Sequence, residues 1–360
     1  MNPQPIGMSP PPPNATTVVH VAEPSQVGEA RRAAAALATQ LNFSATRAGE
    51  LAIILTELGN NLVRHGSGGQ IMLRPVAPAG GSGGGLGEAP AAGSGVEVTA
   101  TDRGPGINNV HAAMRDGYST GGTPGTGLGA IQRLSGTFDL ISQLGRGTVI
   151  VSRVWPAAVP DRPLVEVGAA CVPIRGETVC GDAWCVVEQG QRVVAIVADG
   201  LGHGPAAADA SRRAVTIFRE AAAGAPRQIM EALHSALRAT RGAAVAVADV
   251  NFAAGKLRFC GVGNISSSVV SREGLSRSLL SHNGTVGAES RRMVELEQPW
   301  AAGSLLILTS DGITSRWQLA DYPGLQLKHP SLIAGVLYRD HLRGRDDATV
   351  LAVRDVRATG

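Results

Sequence analysis

The first 155 residues show helix-forming and strand-forming patterns in turn. Apolar residues recur every three or four positions from Ser25 to Leu41, and again from a candidate N-cap at Ser44 to Arg64, which predicts two amphipathic helices. Shorter runs rich in β-branched residues predict strands at 17–22, 70–74 and 96–101 and a hairpin over 137–155.

The pattern changes to a strand-rich one after residue 163. Two helices interrupt the strands, at 205–221 and 227–241. The predicted strands cover 165–170, 184–188, 193–198, 244–252, 256–261, 266–271, 305–309 and 349–354. This order favours an α+β fold of packed layers rather than a doubly wound sheet.

Segments rich in Pro and Gly divide the chain into two predicted domains. We expect a disordered tail over 1–14 and a flexible insertion over 75–95, because neither segment has enough apolar side chains to pack. A linker over 157–163 separates a domain at 15–156 from one at 164–356.

Composition narrows the function classes and the location. A net charge of +3 over 360 residues gives no footprint for nucleic acid or an anionic membrane. No apolar run approaches the roughly 20 residues that a spanning helix needs, and the N-terminus has no secretory pattern. The four cysteines form no Cys-x-x-Cys pair, which is typical of reduced thiols in a cytoplasmic protein.

Three features of the first domain suit a nucleotide. Glu57 and Asn61 stand four residues apart and share one face of the second helix. The run Asp102-Arg-Gly-Pro-Gly106 follows a strand and lets a ligand approach the backbone. The glycine-rich run 121–129 then precedes a helix, whose free N–H groups and positive dipole end favour phosphate.

In this order the three features resemble the GHKL family of ATP-binding domains, which includes gyrase, the heat-shock ninety chaperones and the sensor histidine kinases. The resemblance covers about 16–155 and implies an α/β sandwich that binds ATP with Mg²⁺. It implies that Asn61 holds Mg²⁺, that Asp102 binds adenine and that Glu57 is the general base. It assigns the nucleotide pocket and its lid to Gly104, Gly106, Gly125, Gly127, Leu128 and Gly129.

The run 113–120 (AMRDGYST) together with Arg133-Leu134 resembles more closely the RsbT type of small serine kinase in bacterial stress signalling. That resemblance implies a STAS-domain antagonist protein as substrate. Two other interpretations remain open. The domain binds ATP and sequesters a sigma factor without transferring phosphate, or it senses the nucleotide and gates the second domain.

Aspartates recur at or near strand ends in the second domain. They are Asp182, Asp199 in the run DGLGHG, Asp311 in TSDG, and Asp346 and Asp347 in RDDAT. Carboxylates on neighbouring strands can converge on hard divalent cations, and two such ions activate a water and neutralise a phosphoryl group. None of the cysteines has the phosphate loop of a thiol phosphatase, and no Gly-x-Ser-x-Gly elbow is present.

The aspartate set resembles the SpoIIE-type branch of the metal-dependent phosphatases related to protein phosphatase two-C, with a size similar to the RsbX type. It implies an α-β-β-α sandwich with two Mn²⁺ or Mg²⁺ ions. The implied ligands are Asp182, Asp199, Gly200 through its carbonyl, Asp311 and Asp346, with Asp347 as a less certain neighbour. His203 either approaches the substrate phosphate or braces its loop, and Arg175 contacts the phosphate.

The two resemblances together predict a bifunctional regulator of partner-switching signalling. A protein-serine kinase is joined to a phosphatase for phosphoserine or phosphothreonine, and both act on STAS-domain proteins. A sigma factor or a downstream phosphatase is a further candidate partner.

Overall fold

The computed structural model describes residues 16–78, 92–115, 127–157, 163–288 and 293–357. The N-terminal domain is one antiparallel five-stranded sheet, in the order β1-β2-β3-β5-β4, with helices on one face. Its elements are β1 (Thr17–Val21), α1 (Pro24–Gln40), α2 (Ala45–Arg64), β2 (Gly69–Val76), β3 (Gly95–Asp102), α3 (Val110–Ala113), α4 (Gly127–Leu134), β4 (Thr137–Gln143) and β5 (Gly147–Val154).

The C-terminal domain stacks two five-stranded sheets, in the orders β13-β10-β9-β8-β7 and β12-β11-β14-β15-β6. Helices α5 and α6 cover the first sheet and α7 covers the second. The elements are β6 (Val165–Val172), β7 (Asp182–Gln189), β8 (Arg192–Gly200), α5 (Pro205–Ala221), α6 (Pro226–Leu237), β9 (Ala243–Asn251), β10 (Lys256–Val262), β11 (Ser266–Val270), β12 (Ser276–Leu279), β13 (Leu296–Pro299), β14 (Leu305–Thr309), α7 (Pro330–His341) and β15 (Ala348–Asp355).

The layered α+β architecture that the sequence predicts is confirmed in both domains. Helix α2 begins as expected, because the Ser44 side chain accepts the N–H of Arg47. Its apolar face, which includes Leu51, Leu55 and Leu58, is buried in the core that the N-terminal sheet shares with α1. The sheet thereby holds α2 in place.

The predicted insertion is too long at both ends. Pro75, Val76 and Gly95 belong to the β2–β3 ladder, in which Val76 pairs with Gly95. Backbone hydrogen bonds therefore order residues whose side chains suggested a loop. The centre of the insertion, the N-terminal tail and most of the linker (79–91, 1–14 and 158–162) lie outside the described residues.

Helix α7 joins the two domains, and the sequence pattern did not predict it. One side packs on β6 and β15, and the other packs on β3, β4 and β5 of the N-terminal sheet. Met72, Val149 and Val151 of that sheet share a hydrophobic core with Leu332, Val336 and their neighbours on α7. Close approach depends on Gly335, where an added Cβ would lie 3.0 Å from the Thr99 side chain. The helix is therefore buried between sheets of different domains.

A buried ion-pair network reinforces this interface. Glu97 is 1% exposed and accepts hydrogen bonds from Arg74 Nε and Arg153 Nε at 2.7 Å each. Ser331 at the start of α7 donates its hydroxyl to the same carboxylate at 2.6 Å. Burial alone would raise the pKa of Glu97, but the two guanidinium charges and the Ser331 hydrogen bond lower it to about 2.

Within the described parts of the chain, no helix has both the length and the apolar character needed to cross a membrane.

Replacing Glu97 with Ala should destabilise the protein strongly, because it leaves the buried Arg74 guanidinium without its ion-pair partner and removes one partner of Arg153. We expect the free energy of unfolding at pH 7, measured in urea, to fall by about 3–5 kcal/mol. Glu50→Ala is the matched control, since its ion pair with Arg47 is partly exposed, and should cost less than about 1 kcal/mol.

The same pair of proteins should show a pH dependence. The pKa of Glu97 is lowered in the folded state, so its contribution is complete above the unfolded pKa of about 4.3 and is lost as the pH falls toward 2. The difference between wild type and Glu97→Ala should therefore shrink below about pH 4. A difference that stays constant from pH 7 to pH 3 would contradict the assignment.

Candidate functional site

The acid–amide pair on α2 faces the start of α4. Glu57 and Asn61 are half-buried on the same face of the helix. An added Cβ at Gly127, the first residue of α4, would lie 2.7 Å from Glu57 Oε2. The structure thus brings together the predicted base and the end of the predicted glycine loop, and Gly127 leaves the space that the carboxylate occupies.

Asp102 is the last residue of β3, and its carboxylate is fixed on one side. Its Oδ1 accepts the N–H groups of Gly104 at 2.8 Å and Thr148 at 3.2 Å. Among the described residues no hydrogen bond is donated to Oδ2, which is therefore available to a ligand amino group. Burial raises the pKa of this carboxyl, while the two backbone hydrogen bonds oppose that shift.

The glycines beside Asp102 are needed for close packing. Gly104 lies against the main chain of His65 and Gly66 at the end of α2. Gly106 has a φ of +77° and turns the chain against Gln143. Farther along, Gly129 is buried in α4 and Leu128 is half-buried beside the core. Gly125 and the remainder of the run 116–126 lie outside the described residues.

Two aspartates face each other in the C-terminal domain. Asp182, the first residue of β7, pairs with Asp199 near the end of β8. Asp182 is 1% exposed, and its Oδ2 accepts the Ser310 hydroxyl at 2.6 Å. Its Oδ1 is buried and makes no hydrogen bond, while the nearby Thr349 hydroxyl, which is also unpartnered, acts to lower the pKa of this carboxyl. A buried carboxylate oxygen without a partner is costly unless a proton or a cation satisfies it.

Three further aspartates surround this pair. Asp311 accepts the side-chain N–H of Asn264 at 2.7 Å. Asp347 accepts the N–H groups of Ile174 at 2.7 Å and Gly181 at 2.8 Å, which ties the loop before β7 to the start of β15. Asp346 lies next to Asp347 and accepts its N–H at 2.9 Å. These loops belong to both sheets, so sheet stacking gathers the carboxylates.

The aspartates act on one another electrostatically. Burial and, to a smaller extent, the charges of the other four aspartates together raise the pKa of Asp199 to about 9. Burial, with the charges of Asp347 and Asp346, also raises the pKa of Asp182 to about 7. The structure therefore brings together all five aspartates that the sequence singled out.

This donor set fits hard divalent cations. Among the described residues, no three His, Cys, Asp or Glu side chains are already drawn around a single ion position. The unpartnered Asp182 Oδ1 and the mutual repulsion of the aspartates are nevertheless features that a divalent cation would satisfy. Gly200 ends β8 beside Asp199, where a side chain would collide with Ala207. Carboxylates and a carbonyl are ligands suited to Mg²⁺ or Mn²⁺.

His203 and Arg175, the two accessory residues that the sequence proposed, have different surroundings in the structure. His203 Nδ1 lies 2.9 Å from Glu177 Oε1, a contact that favours the loop-bracing alternative. Arg175 is exposed on the loop before β7. A cavity of about 390 Å³ is lined by Asp311, Gly312, Arg343, Arg345 and Asp346, a set that does not include Arg175.

Sequence reasoning missed Arg343, Arg345, Ser310 and Glu177 at this site. Ser310 and Arg345 stand next to Asp311 and Asp346, so proximity in the sequence was an available signal for them. No comparable signal marked Glu177.

Family comparisons divide the chain as the two sites do. The model of the histidine kinase-like ATPase domain matches residues 20–153, and that of stage II sporulation protein E (SpoIIE) matches residues 189–355. The serine/threonine-protein kinase RsbT of Bacillus subtilis (strain 168) is 32% identical over 126 residues, which are 35% of this chain and 86% of RsbT.

The second part of the chain has its own relatives. The phosphoserine phosphatase RsbX of Bacillus subtilis (strain 168) is 26% identical over 138 residues, which are 38% of this chain and 69% of RsbX. A crystal structure of RsbX in complex with magnesium has 22% identity and a TM-score of 0.47, covering 53% of this chain and 94% of that chain. The chain therefore belongs to the RsbT-like family through its histidine kinase-like ATPase domain, and it is a fusion of that domain with a SpoIIE/RsbX-type phosphatase domain.

Proposed function

We propose that the chain is a cytoplasmic, bifunctional regulator of partner switching. Its N-terminal domain transfers phosphate from ATP to a serine of a STAS-domain protein, and its C-terminal domain removes phosphate from such a protein with the help of Mn²⁺ or Mg²⁺. The observation that carries the proposal is the buried, unpartnered Asp182 carboxylate oxygen that faces Asp199 within a group of five aspartates.

In the phosphatase half, Asp182, Asp199, Asp311, Asp346 and the Gly200 carbonyl would hold the cations. When bound, the ions would activate a water and neutralise the phosphoryl group. The chain's own hydrogen bonds orient the ligands. Ser310 fixes one oxygen of Asp182, and Asn264 fixes one oxygen of Asp311. Asp347 holds two loops together through backbone N–H groups, which supports a positioning role for it.

In the kinase half, Asn61 would hold Mg²⁺ against the phosphates of ATP, and the Asp102 carboxylate would accept the adenine amino group. Glu57 would accept the proton of the attacking serine hydroxyl. The free Oδ2 of Asp102 and the contact between Glu57 and the N-terminus of α4 support these roles. The identity to the serine/threonine-protein kinase RsbT supports transfer rather than binding alone.

A shared substrate explains why the two activities occur in one chain. One relative is named a serine/threonine-protein kinase and the other a phosphoserine phosphatase, so their chemistries are opposed. If both domains act on one STAS-domain serine, the chain sets the phosphorylated fraction of that protein.

A second candidate function is nucleotide gating of the phosphatase. Arg339 on α7 donates from Nη1 to the main-chain oxygen of Asp102 at 3.2 Å, and Arg103 donates to the main-chain oxygen of Arg339. Helix α7 ends at His341, and the next residues reach the phosphatase cavity. Adenine bound at Asp102 would therefore lie beside a residue that contacts α7, and the loop after α7 lines the second site.

Replacing Asp199 with Asn should change stability in opposite directions with and without metal. Without metal it removes a carboxyl whose pKa is raised to about 9 by burial and by the neighbouring aspartates, so folding at pH 7 no longer requires the uptake of a proton there. We therefore expect the unfolding temperature to rise by about 2–4 °C. With Mn²⁺ the stabilisation seen in wild type should be lost, because a ligand is missing. Asp209→Asn makes the same change on an exposed position of α5 and should leave both values unchanged. Equal Mn²⁺ stabilisation of wild type and Asp199→Asn would contradict the metal site.

Replacing Glu57 with Gln should separate ATP binding from phosphate transfer. We expect ATP affinity to change little and serine phosphorylation of a STAS-domain protein to fall by about 10²–10⁴-fold. Asn61→Ala should lose Mg²⁺-dependent ATP binding, whereas Asn60→Ala, the neighbouring asparagine on α2, should retain it. Labelling with radioactive ATP and calorimetry measure the two steps. Undiminished labelling by Glu57→Gln would contradict its role as the base.

Gating predicts that ATP changes the rate of p-nitrophenyl phosphate hydrolysis in the presence of Mn²⁺. Arg339→Ala should abolish that response, because it removes the contact with Asp102. An identical rate with and without saturating ATP would exclude gating and leave the two activities independent.

A further inference from the structure

We propose that Arg343 and Arg345, on the loop that follows α7, bind the phosphate group of the incoming phosphoprotein. This inference rests on the proposed phosphatase function and names the side chains that recognise its substrate. It assigns to this loop the role that the sequence suggested for Arg175.

The two arginines lie at the entrance to the aspartate group. Arg343 and Arg345 line the same cavity of about 390 Å³ as Asp311 and Asp346. Both arginines are exposed, while the two aspartates lie deeper and are half-buried. A phosphate that enters the cavity toward the aspartates therefore passes the two guanidiniums.

The backbone fixes the arginine loop against the aspartates. Arg343 donates its N–H to the carbonyl of Gly312 at 2.8 Å, and Thr314 donates to the carbonyl of His341 at 2.8 Å. A β-bridge joins Ile313 to Leu342 between these bonds. The residue next to Asp311 is thus tied directly to Arg343, which sets the distance between the guanidinium and the carboxylate site.

The charge at the entrance of the cavity also suits phosphate. Ionised carboxylates in the aspartate group disfavour an approaching phosphate dianion, so positive side chains at the entrance favour its binding. The charge of Arg343 already acts on the Asp311 carboxylate. Two guanidiniums at the mouth offset the acidic field along the path that the substrate phosphate takes.

The guanidiniums are also free to bind. Among the described residues, neither Arg343 nor Arg345 donates a side-chain hydrogen bond to a protein acceptor, in contrast to Arg339, which is engaged with Asp340. An arginine fork matches two phosphate oxygens at once, which a lysine cannot do.

The test uses the full-length protein loaded with Mn²⁺ and inorganic phosphate as the probe, measured by calorimetry. Arg343→Ala and Arg345→Ala should each weaken phosphate binding by about tenfold or more, since each removes a charge-assisted hydrogen bond. Arg343→Lys should recover only part of the loss. Arg277→Ala, which removes an exposed arginine from β12, is the control and should bind phosphate as wild type does.

Kinetics with p-nitrophenyl phosphate give a second readout. The arginine variants should raise KM more than they lower kcat, and their Mn²⁺ affinity should equal that of wild type. Unchanged phosphate affinity and KM in both variants, or a loss confined to Arg175→Ala, would overturn the assignment while wild-type turnover still supports the phosphatase. Absence of turnover by wild type with Mn²⁺ would instead refute the proposed function and this inference together.

Discussion

The burial of α7 on all sides is the constraint on which the arrangement of the molecule depends. Ten of its residues are buried, because the sheets of two domains cover opposite sides of the helix. A helix of this composition would expose a large apolar surface if the domains separated. This packing fixes the position of the two sites relative to each other. Arg339 contacts Asp102, and Arg343, two residues beyond the end of the helix, lines the same cavity as Asp311.

The aspartate group, in contrast to α7, lowers the stability of the metal-free fold, because its carboxyl groups are kept buried for a cation. Asp182 and Asp199 face each other across two strands, and burial disfavours the charge on both. The surrounding structure holds these carboxylates with neutral donors, namely Ser310, Asn264 and backbone N–H groups. Such strain is common at sites that await a ligand, and removing it stabilises the apoprotein while abolishing binding.

Local sequence patterns predicted most of the helices and strands and singled out the five aspartates. Helix α2 was predictable because twenty residues repeat one apolar face behind a serine cap. Helix α7 was not, because residues 330–341 are buried on nearly every side and the partners of one side, in the N-terminal sheet, are about 180 to 260 residues earlier in the chain. For the same reason the sequence indicates Arg175 and gives no sign of Arg343, whose closeness to Asp311 depends on the bridge between Ile313 and Leu342. The prediction that the flexible insertion begins at Pro75 and ends at Gly95 was wrong, because strand pairing orders these residues despite their composition.

We propose that one chain both adds phosphate to a STAS-domain serine and removes it. The most direct test is the intact mass of a STAS-domain antagonist after incubation with the chain. With Asp199→Asn, ATP and Mg²⁺, we expect the antagonist to gain one phosphate on serine. Transfer of that product to Glu57→Gln with Mn²⁺ and no ATP should restore the original mass. No gain of mass in the first step would refute the kinase activity, and a phosphate that persists through the second step would refute the phosphatase activity.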